Sequence, residues 1–190
     1  PQGDDLKSIY FTSANTGIIV GNIGRILKTT DGGSTWTFRS CPINDDVLVS
    51  VCFTDNNNGY AAGGLGTLLK TSDGGDTWIK MPDPDLTFIN EFFFTDANTG
   101  FLVGQRWADF YVLKTSNGGA SWSEISFGPL QGLRDIWFTS ASTGYMVGFS
   151  KVWKTTDSGA TWNSTSVGAN VGLSSVHFTD PNTGFIGAYR

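Results

Sequence analysis

Charge is scarce in this chain. Only 15% of its 190 residues are charged, and 12 Lys and Arg against 17 Asp and Glu leave a net charge of −5. The cations form no run and no basic–aromatic stripe, so a nucleic-acid partner is not expected. Long apolar runs are missing too; no stretch approaches 18 residues, so no transmembrane segment is expected. Histidine occurs once, at His177, and cysteine twice, at Cys41 and Cys52. With no Cys/His cluster at metal-ligand spacing, neither a metal nor a cofactor is expected. No secretory leader is visible, but the chain opens on Pro1 rather than Met, so that absence carries no weight. What the chain has in quantity is glycine (25 residues), aromatic residues (14%) and apolar residues overall (39%). This mixture suits a turn-rich all-β domain with a sizeable core, and excludes both long helices and disorder.

The glycines recur in register. Residues 29–36 read Thr-Thr-Asp-Gly-Gly-Ser-Thr-Trp, residues 71–78 Thr-Ser-Asp-Gly-Gly-Asp-Thr-Trp, residues 115–122 Thr-Ser-Asn-Gly-Gly-Ala-Ser-Trp and residues 155–162 Thr-Thr-Asp-Ser-Gly-Ala-Thr-Trp. The third position falls at 31, 73, 117 and 157, spacings of 42, 44 and 40, which is the period of a repeat architecture. A short acid beside paired glycines makes a tight turn, because the carboxylate accepts backbone N–H bonds and glycine tolerates positive φ. The tryptophans (Trp36, Trp78, Trp122 and Trp162) offer large surfaces to bury, and each is expected to begin a strand. Asp31, Asp73 and Asp157 are read as turn residues rather than catalytic ones. Asn117 in the third copy supports this, since an amide keeps the turn bonds but cannot act as a general base.

Around each octet the pattern predicts four short strands. An apolar first strand (6–11, 48–53, 89–94, 133–138, 173–178) leads through a Thr-Ser/Asp-x-Asn/Ser-x-Gly turn to a second, then a third ending at the octet, then a fourth beginning at the Trp. Connections carry Pro42, Pro82, Pro84 and Pro129. Four strands per repeat are one β-propeller blade, with repeats at about 6–47, 48–88, 89–132, 133–172 and an incomplete 173–190. The chain is therefore expected to be a single all-β propeller domain, part of a ring of about six to eight blades with further blades beyond Arg190. Cys41 and Cys52 fall in a connection and in the next first strand, an arrangement that argues against a disulfide. His177 follows the packing row Tyr10, Cys52, Phe93 and Trp137. Lys28, Lys70, Lys114 and Lys154 read as a solvated structural row.

The repeat Phe-Thr-x-x-x-x-Gly…Gly…Leu-Lys-Thr-x-Asp-Gly-Gly-x-Thr-Trp, running through nearly all 190 residues, resembles the Asp-box (BNR-repeat) β-propellers. It looks like those of secreted Bacteroidetes proteins and of photosystem II assembly and stability factors. It is also similar to the repeats of xyloglucanase-type glycoside hydrolases, sortilin-type receptors and sialidases. The resemblance implies that the octet is a structural turn between the third and fourth strands of a blade, and it implies an extracellular or cell-surface location. Activity does not follow from it, because function lives in sites grafted onto folds. A sialidase is not expected: the resemblance would require an arginine triad, and the five arginines (Arg25, Arg39, Arg106, Arg134 and Arg190) come without the Arg-Ile-Pro signature.

Candidate sites come from where the repeats differ. Between the last Gly of strand two and the Lys of strand three the step is 7 residues in repeats one and two, 10 in repeat three and 6 in repeat four. The insertion creates a segment with Arg106, Trp107, Asp109, Phe110 and Tyr111. Two readings stand: a loop contacting a glycan or a protein partner, with Trp107 as platform and Arg134 at the same face, or a longer hairpin whose aromatic residues pack on the neighbouring blade. Glu91 and Asp135 occupy equivalent positions on adjacent first strands, where other repeats carry Ser. They are the alternative: an acid and a base of a xyloglucanase-like glycosidase. The favoured expectation is a non-catalytic scaffold and binding module. A third possibility is an assembly factor for a membrane protein complex.

Overall fold

The computed structural model describes residues 5–43, 45–125, 132–168 and 170–189. Pro129 and Arg190 lie outside them. The described residues form strands and turns, with no helix. They fall into two compact units, Pro1–Ile89 with Gly119–Ser121, and Asn90–Gly118 with Trp122–Arg190.

The first blade is β1 (Leu6–Phe11), β2 (Gly17–Gly21), β3 (Ile26–Thr29) and β4 (Thr37–Phe38), paired in that order. The second repeats it with β5 (Leu48–Phe53), β6 (Gly59–Gly63), β7 (Leu68–Thr71) and β8 (Ile79–Lys80). The third consists of β9 (Phe88–Phe94), β10 (Gly100–Arg106), β11 (Asp109–Thr115) and β12 (Ser123–Glu124). The fourth is β13 (Asp135–Phe138), β14 (Gly144–Gly148), β15 (Lys151–Thr155) and β16 (Asn163–Ser166). A two-stranded hairpin follows, β17 (Gly172–Asp180) and β18 (Thr183–Tyr189). These are four-stranded antiparallel propeller blades plus half of a fifth.

The recurrent Phe and Gly have a shared cause. At the end of each first strand the phenyl ring folds over the glycine that opens the second. A Cβ on Gly59 would lie 2.6 Å from the Phe53 ring, and one on Gly100 the same distance from Phe94. Trp78 then meets Phe53 edge-on at 6.2 Å, closing the corner between strand one and the octet. Neighbouring blades are joined by apolar layers. Ile18, Val20 and Ile26 of the first pack with Val51, Phe53, Leu69 and Trp78 of the second. Phe101, Val103 and Val112 of the third pack with Ile136, Phe138, Met146 and Trp153 of the fourth. The expected packing row is present in part: Phe93 lies 5.4 Å from Trp137, and Trp137 lies 4.3 Å from an exposed His177, while Tyr10 stacks on Phe53, next to the row's Cys52. Cys41 and Cys52 form no disulfide.

Four expectations need correction. The fourth strands start one residue after the Trp, because the indole is held by the turn itself. β9 begins one residue early, at Phe88, and β13 two residues late, at Asp135. Of the two forms open for the insertion in repeat three, the structure has the longer hairpin and not the loop: β10 and β11 are extended, with Gln105↔Phe110 and Arg106↔Asp109 paired. The lysine row is not simply solvated. Lys28 is buried and sits 2.9 Å from Asp76 in the next blade's octet, and Lys114 donates to the Ser158 carbonyl of the following octet at 2.7 Å. Lys154, whose neighbouring repeat has no octet in this sequence, is exposed.

Candidate functional site

The octets are structural. In the second, the Thr71 hydroxyl accepts the Gly75 N–H (2.9 Å) and donates to Asp73 Oδ1 (2.8 Å). Asp73 Oδ1 then accepts the Thr77 N–H (2.9 Å) and Oδ2 the Thr77 hydroxyl (2.6 Å). Trp78 Nε1 closes on the Gly75 carbonyl at 3.2 Å. The first and fourth octets repeat the carboxylate bonds through Asp31 and Asp157. In the third, the Asn117 side-chain oxygen accepts from the Thr115 hydroxyl at 2.8 Å. Hydrogen bonds from the Thr side chain and backbone hold Asp31, Asp73 and Asp157 ionised, with pKa values lowered to about 2. A carboxylate so engaged cannot serve as a general acid or base near neutrality.

Glu91 and Asp135 sit where the first strands need acceptors. In the first blade Ser8 Oγ accepts the Val51 N–H of the next first strand at 3.3 Å. Asp135 does the same in the fourth: Oδ2 accepts the Val176 N–H and Oδ1 the Ile136 N–H, both at 2.7 Å. Glu91 Oε1 accepts the Phe92 N–H at 2.9 Å, and Asn90 beside it donates to the Leu133 carbonyl at 2.7 Å. Neighbouring first strands are thus stitched through polar side chains, satisfying backbone groups that strand pairing leaves open. Burial pushes Asp135 up to about 6 against the opposing pull of its two backbone donors.

The hairpin of the third blade is the remaining candidate. Its residues are not equally available. Phe110 is half-buried against the core shared with the fourth blade, and the Arg106 guanidinium lies 4.6 Å over the Tyr111 ring. Asp109 is exposed beside the turn. Trp107 occupies the first position of the two-residue turn at φ 58° and is 84% exposed. Arg134 is exposed, its backbone N–H paired with the Val147 carbonyl; its side chain makes no hydrogen bond or ion pair among the described residues. Among those residues no group of three or more His, Cys, Asp or Glu is placed to hold a metal ion.

Reading repeats for differences missed what they share. The turns between the second and third strands have first residues at 23, 65, 107 and 149, and each is a large apolar side chain. The signal was legible as a spacing of 42 residues, but only once the insertion had been counted into the strands instead of a loop.

Blades, octets and stitched first strands together define an Asp-box β-propeller. A family profile described as the photosynthesis system II assembly factor YCF48 matches residues 2–86. YCF48 bound to a D1 peptide is similar in structure, with a TM-score of 0.73 at 21% identity over 94% of this chain and 59% of that one. YCF48 from Cyanidioschyzon merolae has a TM-score of 0.70 at 18% identity, covering 94% and 61%. The GH74 enzyme of Niastella koreensis has 0.72 at 15%, covering 93% and 32%. The chain spans about three fifths of the length of the two YCF48 structures, and at these identities the likeness is one of fold. No curated protein sequence matches the chain.

Proposed function

We propose that this propeller is a non-catalytic binding module, outside the cell or on its surface, whose partner is a segment of another protein. The observation that carries this reading is Trp107: a large aromatic side chain held in strained backbone at the tip of the one lengthened hairpin. Strain of that kind persists only where the surroundings impose it, and it concentrates at binding sites. An exposed indole at a hairpin tip suits insertion into a protein partner, whereas sugar sites are typically concave with several converging polar groups. The likeness to YCF48, solved with a D1 peptide, favours a protein partner in the same sense. An assembly intermediate of a membrane protein complex is one such partner, in keeping with the description of the matching family.

A glycosidase using Glu91 and Asp135 is the second reading. It draws on the raised proton affinity of Asp135 and on the likeness to GH74 enzymes. Against it, both Asp135 oxygens already accept backbone N–H groups. The test is calorimetric titration with a panel of short extended peptides and with a xyloglucan oligosaccharide. Peptides are expected to bind, and Trp107→Ala to weaken them by about tenfold while the fold stays intact. Binding or turnover of the oligosaccharide, or peptide affinity that ignores Trp107→Ala, contradicts the proposal.

A further inference from the structure

Two-residue hairpin turns with both central residues at positive φ are built from Asn, Asp and Gly, because a side chain bearing Cβ is strained there. This protein places Ile23 (φ 59°) before Gly24 (φ 60°), and Leu65 (φ 47°) before Gly66 (φ 63°). The second position obeys the rule. A Cβ on Gly24 or Gly66 would also strike the Ile43 or Leu86 carbonyl oxygen at 2.5 Å. The first position breaks it, and a β-branched residue at φ 59° is an outlier. Trp107 stands at φ 58° in the third blade, and Phe149 precedes Ser150 (φ 59°) in the fourth. All four first residues are large and apolar, and all are exposed: Ile23 56%, Leu65 74%, Trp107 84% and Phe149 49%. A single surface hydrophobe needs no explanation; four of four at one repeat position, three of them at positive φ, do.

The turn backbones are held while the side chains project. Gly24 N–H donates to the Asp46 carbonyl (2.7 Å), Gly64 N–H to Val47 (2.9 Å) and Ser150 N–H to Val171 (2.8 Å), each in the connection between blades. The four turns read Asn-Ile-Gly-Arg, Gly-Leu-Gly-Thr, Arg-Trp-Ala-Asp and Gly-Phe-Ser-Lys, with three cations and one acid of their own. Acids from the connections stand beside the second of them: Asp46 accepts the Thr67 hydroxyl, and Asp83 lies against Gly66. Ile23 also borders a shallow cleft of about 370 Å³ lined by Arg25, Phe38 and Arg39. The Arg25 guanidinium lies 4.7 Å over the Phe38 ring there.

We propose that each of these tips is a docking contact for an extended protein segment carrying apolar side chains, and that the arginine-lined cleft beside Ile23 takes carboxylates of that segment. This rests on the protein-binding reading above and narrows it. Aliphatic Ile23 and Leu65 have no flat π-face on which a sugar stacks, whereas they match apolar protein side chains.

The test uses a synthetic peptide alternating Leu and Asp, a Leu–Lys counterpart, and the variants Ile23→Asn and Leu65→Asn. Each variant installs the favoured Asn–Gly pair, so the melting temperature is expected to rise by roughly 1–3 °C. Affinity for the Leu–Asp peptide is expected to fall about fivefold or more. The Leu–Lys peptide is expected to bind more weakly than Leu–Asp to the unsubstituted chain. Stabilisation with unchanged affinity, while Trp107→Ala still weakens binding, overturns the tip proposal and leaves the protein-binding reading standing. Affinity indifferent to all three substitutions overturns both. A fall in melting temperature makes Ile23 and Leu65 folding contacts and overturns the proposal, and equal binding of both peptides overturns its acidic component.

Discussion

Carboxylates in this protein are set apart by their surroundings. Asp31, Asp73 and Asp157 titrate at about 2 against an ordinary 3.8 because the folded turn donates to the ionised form. Their contribution to stability is therefore present above about pH 4 and lost as pH falls toward 2. Asp135 runs the other way. Its pKa of about 6 means the folded state holds a proton that the unfolded chain releases, so stability declines as pH rises from about 4 through 6. Melting temperatures measured between about pH 2 and 7 should rise, then fall, and Asp135→Asn should remove the fall while keeping the acid limb. An unchanged slope between about pH 4 and 6 in that variant would show that Asp135 does not carry it. The sequence placed Asp135 and Glu91 correctly as equivalents on neighbouring first strands. It did not show that Asp135 is spent on the Val176 and Ile136 N–H groups, because that depends on how far apart two strands from different repeats lie.

At the scale of the element, the octet is the most legible part of the molecule. Its Thr and its Asp or Asn bond within eight residues, as do the Trp36 and Trp78 indoles of the first two copies, so local sequence specifies much of the geometry. The hydroxyl of buried Thr71 is the joint, touching Asp73 and the Gly75 N–H. Thr71→Val keeps the shape and leaves that N–H unsatisfied, which should cost about 1–3 kcal/mol in denaturant unfolding. Ser72→Ala next to it, exposed, should stay within about 0.5 kcal/mol. Equal effects would remove the hydroxyl from the account. Strand ends were less legible. β13 starts late because Arg134 pairs with Val147 without Leu133 entering the ladder, and the lengthened hairpin could not be told from a loop because Trp and Ala signal no turn. The same blindness hid Ile23, Leu65 and Phe149. Turn residues are recognised by Gly, Asn and Asp, and here large apolar residues take the first position of each turn.

For the whole molecule, regular repetition conveyed the propeller class and four-stranded blades, since every blade solves the same packing problem with the same residues. The proposed binding surface was legible partly as a departure from the repeat, the insertion at Trp107, and partly as a feature the repeats share, an apolar first residue in each turn between the second and third strands. Trp107 is the most exposed of the seven tryptophans, with Trp36, Trp122 and Trp137 half-buried, so it dominates the readily quenched part of the intrinsic fluorescence. The most direct test of the central claim is acrylamide quenching during titration with the Leu–Asp peptide. Protein binding through the tips predicts that the readily quenched component becomes protected in step with peptide binding, and that Trp107→Phe removes most of that component. Bound peptide with the quenchable component undiminished would place the partner elsewhere on the propeller and contradict the account.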